Sequence, residues 1–414
     1  MSSKRSVCDI GRRLLDPLDA LDLADGKRLT VVADDDGLAA LPIARDPDGR
    51  WRRARPGDGA AEALLAMLAQ QTGNAKRGRF TIQSWASRKA LGERAIGVDQ
   101  TNESVVVGDA AVVKWAVHLQ EGPHPAPRRI AVLREAGFAG MPAVWGLVTW
   151  RPANGEETLV ASVDEFLPGA VDGWTWAVRL ITDAARDHRP APAVDAATKV
   201  GVLIAEMHAA LAATATTASR ADTDRWRDAA LDTLQTVCGL PDCRSVTTAR
   251  ARRDDIATVL NRLGTLAGTP IIEGHGDLHV GQVLLADGRY VVTDFDGNPV
   301  LLSRERTLPV PPALDVAGLT QSLAHAAIVA RKYTPLDAST LAEIDKANRS
   351  AFLAAYADRL TKLGHADLLD AKLLHPFRVQ QVLREIIYAA EHLPRWMYVP
   401  DAALPALLDE RNSP

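Results

Sequence analysis

Short apolar runs of strand length alternate with acidic, glycine-containing turns over the first 88 residues. The runs are 29–33 and 37–43, and the turns are Asp34-Asp35-Asp36-Gly37 and Asp46-Pro47-Asp48-Gly49. This pattern predicts a small β-rich cap module over 1–88, with the acidic triplet as a solvated turn and not a metal site. A helix over 59–71 closes the module, because Leu64, Leu65 and Leu68 recur at helical spacing. From residue 89 onward the period of two continues. Val105-Val106-Val107, the turn Gly108-Asp109 and the run 111–115 read as a hairpin carrying Lys114 near its end. A proline-rich piece, 122–127, leads into a short helix over 128–136. The apolar runs 144–150 and 158–166 complete a predicted five-stranded sheet with one helix.

Beyond Pro168-Gly169 the spacing lengthens to helical periods over 174–187, 193–211, 223–237 and 247–266. Two short strands, 283–285 and 290–293, interrupt them, and 314–407 is again helical. A β-rich half, a connector at 164–169 and an α-rich half predict an α+β, bilobal plan with a cleft at the connector. The expected domains are the cap at 1–88, a sheet lobe at 89–168 and a helical lobe at 169–414. No internal repeat or low-complexity segment is visible.

At 414 residues, 47% apolar and 24% charged, the chain has the composition of an ordinary globular protein large enough for several lobes. A net charge of −4 supplies no basic field for a phosphate backbone, so nucleic acid is not an expected partner. The first residues hold no apolar run of signal-peptide length, and no stretch of about 18 consecutive apolar residues occurs, so a cytoplasmic protein without a membrane partner is expected. Cys8, Cys238 and Cys243 lack the second pair that a zinc site needs and are expected as reduced thiols.

The chemistry concentrates in Glu273-Gly274-His275-Gly276-Asp277-Leu278-His279-Val280-Gly281-Gln282 and, after two strands, Asp294-Phe295-Asp296-Gly297. Protein kinases carry H-x-D, an amide side chain five residues after that Asp, and then a D-F-x-G-like carboxylate, in this order. A loop of this kind brings Asp277 to the attacking hydroxyl, while the returning strands face Gln282 and Asp294 toward the phosphates. Hard oxygen ligands of that type suit Mg²⁺. Lys114, in Ala111-Val112-Val113-Lys114, matches the strand lysine that neutralises the α and β phosphates of ATP; a solvated edge-strand lysine is the alternative. His275 is expected to hold the loop, and His279 to touch phosphate.

Over nearly its whole length the chain resembles the actinobacterial maltokinases and glucosamine kinases, within the aminoglycoside-phosphotransferase-like, protein-kinase-like superfamily. The resemblance rests on Gly122-Pro123-His124-Pro125, Glu165-Phe166-Leu167-Pro168 with Asp172-Gly173-Trp174, Ala205-Glu206-Met207-His208, the segment 275–282 and Asp294-Phe295-Asp296-Gly297-Asn298-Pro299. It implies Asp277 as catalytic base, Gln282, Asp294 and Asp296 as Mg²⁺ ligands, and Lys114, Asp164, Phe166 and His279 on the nucleotide. Where maltokinases read Asp-Phe-Glu-Gly-Glu-Pro this chain departs, and its tail from Arg384-Glu385 through Tyr388 to Trp396-Met397-Tyr398-Val399-Pro400-Asp401 is similar to the glucosamine-kinase branch. A second departure is Arg128-Arg129, where an acidic partner for Lys114 is expected; Glu121 and Glu135 are the substitutes.

An amino-sugar pocket needs an aromatic platform and a carboxylate for the ammonium. Trp396 and Tyr398 supply the first and Glu385 or Asp401 the second, with Tyr388 and Asp172 as further acceptor contacts; Glu385 and Tyr388, three apart on a helix, also suit a plain surface helix. The expected reaction is ATP-dependent phosphorylation of glucosamine to glucosamine 6-phosphate. Phosphorylation of maltose or of an aminoglycoside is the alternative within the class. Outside it stand a two-metal hydrolase built on His275, Asp277, His279, Asp294 and Asp296, and a pseudokinase. No GxxxxGK[ST] or GxGxxG pattern supports a P-loop or Rossmann mode.

Overall fold

In the computed structural model, residues 17–34, 37–71, 73–96, 103–119 and 122–410 are described. Cys8, Asp35, Asp36 and Glu121 lie outside them. The chain divides into two units, Met1–Ile130 with Met141–Gly169 and Pro299–Thr307, and Ala131–Gly140 with Ala170–Asn298 and Leu308–Pro414.

The first unit is built on two antiparallel sheets. Strands β1 (Asp19–Ala24), β2 (Lys27–Asp34), β3 (Gly37–Arg45) and β4 (Trp51–Arg53) pair in sequence order. Their alternation puts Leu21, Leu23, Leu29 and Val31 into the main core, while Val32, Leu41 and Ile43 form a smaller cluster under Trp51. Helix α1 (Ala60–Ala69) buries Leu64, Leu65 and Leu68 against the same core. The Glu93 carboxylate accepts the backbone N–H groups of Gly57, Gly59, Ala61 and Glu62 at 2.7–3.1 Å, which satisfies the otherwise unpaired first-turn donors and places a negative charge at the positive end of the helix.

The second sheet has seven strands, not five, in the order β5-β6-β10-β11-β9-β8-β7: β5 (Gly73–Arg77), β6 (Phe80–Ser84), β7 (Glu93–Ala95), β8 (Glu103–Val107), β9 (Ala111–Trp115), β10 (Val144–Trp150) and β11 (Thr158–Glu165). β5 and β6 precede residue 88, so the sheet reaches back across the boundary expected there. The reason lies in β10, every residue of which is buried: its second row of backbone groups needs a partner, and β6 supplies it from Gly146↔Ser84 to Trp150↔Phe80. β9 lies between β8 and β11, so Lys114 stands on an interior strand and not on an edge. Helix α2 (Ala126–Glu135) follows the proline-rich piece; its Arg129 is buried and donates to the Arg306 carbonyl at 2.8 Å.

The second unit is helical: α3 (Gly173–Asp187), α4 (Ala191–Leu211), α5 (Arg220–Gly239), α6 (Arg244–Ala251), α7 (Arg253–Asn261), α8 (Pro312–Tyr333), α9 (Ala338–Lys362), α10 (Leu374–Glu391) and α11 (Tyr398–Asp409). The helix expected over 247–266 is split at Arg252, which leaves helical geometry at φ −114°. α4 and α9 approach backbone to backbone at Gly201, where a Cβ would lie 2.4 Å from the Phe352 carbonyl. α8 and the segment Ala191–Thr214 are long and apolar enough to cross a bilayer, yet 83% and 56% of their most apolar windows are buried inside the protein, as in core helices. Hairpin β12 (Val283–Ala286) and β13 (Arg289–Val292) turns through Asp287 and Gly288, both at positive φ. Cys238 and Cys243 are free thiols.

Candidate active site

The loop carrying Asp277 belongs to the second unit and is held from beneath by a buried carboxylate that the sequence did not single out. Asp315, in the first turn of α8, accepts the backbone N–H of His275 at 2.7 Å and of Gly276 at 2.8 Å. His208 of α4 adds a bond at 3.2 Å through Nε2, and its Nδ1 meets the Tyr356 hydroxyl at 2.8 Å. With Nε2–H donating to the carboxylate, Nδ1 accepts from Tyr356. All three side chains are buried. Burial alone would raise the Asp315 carboxyl; the hydrogen bond from His208, with the pull of His208 and His275 and the Gly276 amide, outweighs it and holds the group below the ordinary carboxylate value. His275 is itself fully buried and bonds the Thr293 carbonyl through Nε2 at 3.0 Å, which ties the loop to the segment ahead of Asp294.

Asp294 has φ +67°, a left-handed conformation that costs a non-glycine residue about 1 kcal/mol or more. The strained backbone brings its carboxylate to the end of the Gln282 side chain, where Oδ2 accepts from the amide nitrogen at 3.2 Å. For a cation with metal–oxygen distances of about 2.1 Å, neighbouring ligands of an octahedron are about 3.0 Å apart, so this pair has the spacing of two adjacent Mg²⁺ ligands. Asp296 is half-buried two residues further on. Among the described residues no group of three or more His, Cys, Asp or Glu side chains is gathered as a metal cluster. The ring nitrogens of His275 and His279 have partners within the loop, which leaves the two-metal hydrolase without its histidine ligands. A single oxygen-liganded Mg²⁺, which takes most of its shell from phosphate and water, fits the residues present.

His279 was expected to face phosphate. Its Nδ1 instead accepts the Gly281 N–H at 3.1 Å, its Nε2 lies 3.5 Å from the Gln282 amide nitrogen, and its ring stacks on Trp174 at 6.3 Å. Burial, with a smaller push from His275 and against the pull of Asp294, lowers the imidazole to about 4, so it is neutral at physiological pH. Trp174 continues edge-to-face into Trp396 at 5.4 Å, and Trp396 into Tyr398 at 6.0 Å. The two tail aromatics are therefore one end of a row that begins at the loop. Gly173, next to Trp174, touches the loop backbone: a Cβ there would fall 1.6 Å from the Val280 carbonyl.

The acceptor candidates are distributed unevenly. Glu385, on α10, is largely buried; its Oε1 accepts from Gln381 at 3.0 Å, and its Oε2 lies 3.1 Å from Nδ1 of the fully buried His325. Those last two atoms are misaligned and make no hydrogen bond within the protein. Burial pushes the Glu385 carboxyl up to about 8, against the Gln381 bond, and drives His325 down to about 3, with help from Arg378. Asp401 spends an oxygen on the Ser245 N–H at 2.7 Å, at the start of α6, and Asp172 caps α3 through the Thr175 N–H at 3.0 Å. Tyr388 is 48% exposed and lies against His392. Arg384, beside Glu385, was not singled out from sequence: burial lowers its guanidinium and the charge of Asp277 works in the opposite direction.

In the first unit Lys114 pairs with Asp164 across β9 and β11, Nζ to Oδ2 3.6 Å. One acidic partner of Lys114 is thus a cross-strand neighbour, one diagonal step from Ser162↔Lys114, whereas Arg128-Arg129 supplies the buried Arg129 described above. The Phe166 backbone N–H bonds the Ala110 carbonyl at 2.9 Å and its ring lies under Arg94.

An H-x-D loop fixed on a buried carboxylate, an amide–carboxylate pair beyond it, and a strand lysine paired with an acid define the class of kinase-like phosphotransferases on an α+β fold. No protein-family model matches the chain. It is 62% identical over 397 residues to the glucosamine kinase of Mycolicibacterium smegmatis, covering 96% of this chain and 99% of that one. To the glucosamine kinase of Streptacidiphilus jiangxiensis it is 45% identical over 404 residues, 95% and 92% of the two chains. A solved glucosamine kinase in complex with glucosamine, ADP and inorganic phosphate superposes with a TM-score of 0.83 at 42% identity, covering 94% and 93%. The chain belongs to the glucosamine kinase family.

Proposed function

We propose that the protein transfers the γ-phosphate of ATP to the primary C6 hydroxyl of glucosamine, with Mg²⁺, in the cytoplasm. The observation that carries this reading is the Gln282–Asp294 pair beside an Asp277 loop pinned by Asp315. Asp277 accepts the proton of the acceptor hydroxyl as its oxygen bonds to the γ-phosphorus, and the bond to the bridging oxygen breaks to release ADP. Gln282 and Asp294, with Asp296 two residues further on, would hold Mg²⁺, which when bound would neutralise charge spread over the phosphate oxygens. Lys114, paired with Asp164 at 3.6 Å, meets the nucleotide phosphates, and Phe166 contacts the nucleotide. His279 serves through Gln282.

For the acceptor, support comes from the row Trp174–Trp396–Tyr398 and from the two buried polar atoms, His325 Nδ1 and Glu385 Oε2, that have no hydrogen-bond partner in the protein; such groups call for a polar ligand. An ammonium at C2 meets the need of Glu385 Oε2, to which it donates and which its charge stabilises as carboxylate; His325 Nδ1, which carries the proton because Nε2 accepts from the Gln321 amide, calls for an acceptor such as a sugar hydroxyl oxygen. Asp401 and Asp172, occupied in helix capping, are less available for this role. Purified protein should be offered Mg-ATP with glucosamine, glucose, N-acetylglucosamine, maltose and an aminoglycoside, reading ADP release and the phosphorylated product by ³¹P NMR. Turnover confined to glucosamine is expected. Preference for maltose or the aminoglycoside would replace the acceptor, and no phosphoryl transfer to any of them would remove the reaction.

A further inference from the structure

The side-chain amide of Gln282 faces two groups with opposite demands. Its terminal nitrogen is 3.2 Å from Asp294 Oδ2, where an N–H donor is welcome, and 3.5 Å from His279 Nε2. His279 Nδ1 is occupied as an acceptor by the Gly281 N–H, so the imidazole proton resides on Nε2. In this orientation the Gln282 NH₂ confronts another N–H. Turning the amide by 180° exchanges nitrogen for oxygen. The oxygen then accepts from His279 Nε2–H and lies about 3.2 Å from the Asp294 oxygen, a repulsive contact that a cation between them converts into two adjacent ligands. The imidazole has little freedom to avoid this choice. Trp174 stacks on it, and a Cβ at Gly281 would fall 2.7 Å from its Cε1 and 2.9 Å from Trp174 Nε1, so ring, loop and indole are packed without slack.

We propose that His279 is a positioning residue for the divalent cation: it selects the orientation of the Gln282 amide in which the oxygen, and not the nitrogen, faces Asp294. The proposal rests on the phosphotransferase reading above, and His279 acts on the metal ligand without touching metal or phosphate.

The test is Mn²⁺ affinity in the presence of ADP, followed by the EPR signal of free Mn²⁺ with the full-length protein. His279→Leu should weaken Mn²⁺ binding by about three- to tenfold, the range of one hydrogen bond. His279→Gln keeps both an acceptor and an N–H donor and should recover most of it. In a Gln282→Glu background both terminal atoms are oxygens and no orientation has to be selected. There His279→Leu should change Mn²⁺ affinity by less than about twofold. An equal loss in both backgrounds would mark general damage to the loop and overturn the proposal, as would unchanged affinity in His279→Leu while Asp294→Ala loses Mn²⁺. If Asp294→Ala also retains full affinity, the metal pair itself is misassigned, and the proposal falls together with the reading beneath it.

Discussion

Replacing Asp315 by asparagine removes a charge and one acceptor from the point on which the Asp277 loop is hung. The carboxylate receives three hydrogen bonds, from His275 N and His208 at Oδ2 and from Gly276 N at Oδ1. Asparagine fits the same volume and offers a single oxygen. If that oxygen keeps the His275 and His208 bonds, its NH₂ confronts the Gly276 N–H at 2.8 Å, and a buried donor is left unsatisfied. A charge-assisted bond contributes about 1.5–3 kcal/mol, and an orphaned buried donor costs about 1–3 kcal/mol, so a local destabilisation of about 3 kcal/mol is expected. At about 1.4 kcal/mol per decade this is on the order of a hundredfold.

Hydrogen exchange resolved by mass spectrometry on a peptide containing 275–280 should therefore accelerate by that factor for exchange through local opening. Peptides from β2 and β3 in the first unit should be unaffected. The folded carboxyl lies below its unfolded value, so its contribution is fully present above about pH 4 and is lost as pH falls below that toward the lower folded value; the difference between wild type and variant should shrink accordingly. Unchanged protection of the 275–280 peptide at pH 7 would refute the anchoring role. Tyr356→Phe, which leaves only His208 Nδ1 without its donor, should show a smaller effect of about 1 kcal/mol.

Asp277→Asn should fold and bind Mg-ATP but lose turnover by at least about a hundredfold, measured as ADP release with glucosamine; near-normal turnover would remove it from the proton step. Asp294→Gly relieves a positive-φ residue and should raise the thermal midpoint or leave it unchanged while abolishing metal-dependent nucleotide binding; a large fall in the midpoint would mean that the carboxylate mainly supports the fold. Because burial sets Glu385 near 8, the carboxyl is protonated at pH 7 and its neutral form is the one the fold favours, so affinity for an ammonium acceptor should climb as pH rises toward 8. Calorimetry at pH 7 in buffers of different ionisation enthalpy should report proton release on glucosamine binding, and Glu385→Gln should abolish both that release and about ten- to a hundredfold of the preference over glucose. Buffer-independent heats in wild type would separate Glu385 from the ammonium.

The grouping of the loop residues was legible in the chain alone because it is local. His275, Asp277, Gln282 and Asp294 stand within twenty residues, joined by a hairpin whose Asp287-Gly288 turn is itself a sequence signal, so spacing along the chain becomes spacing in the site. Periodicity likewise placed α1, α3, α4 and the hairpin around Gly108, where each element's own residues decide its form. Tertiary structure decided what depends on partners distant in sequence. Asp315, His208 and Tyr356 look like ordinary helix residues until α4, α8 and α9 bring them together under the loop. Lys114 finds Asp164 only through the register of β9 and β11, and β5 and β6 join the larger sheet because β10 has backbone groups to satisfy, a need that no residue within β5 or β6 announces. Glu385 shows the same division. Its identity and helix position are written in the chain, but whether it carries a charge is set by the burial that α8 and α10 impose together, since the cost of ionising a carboxyl depends on the medium around it and not on its neighbours in sequence.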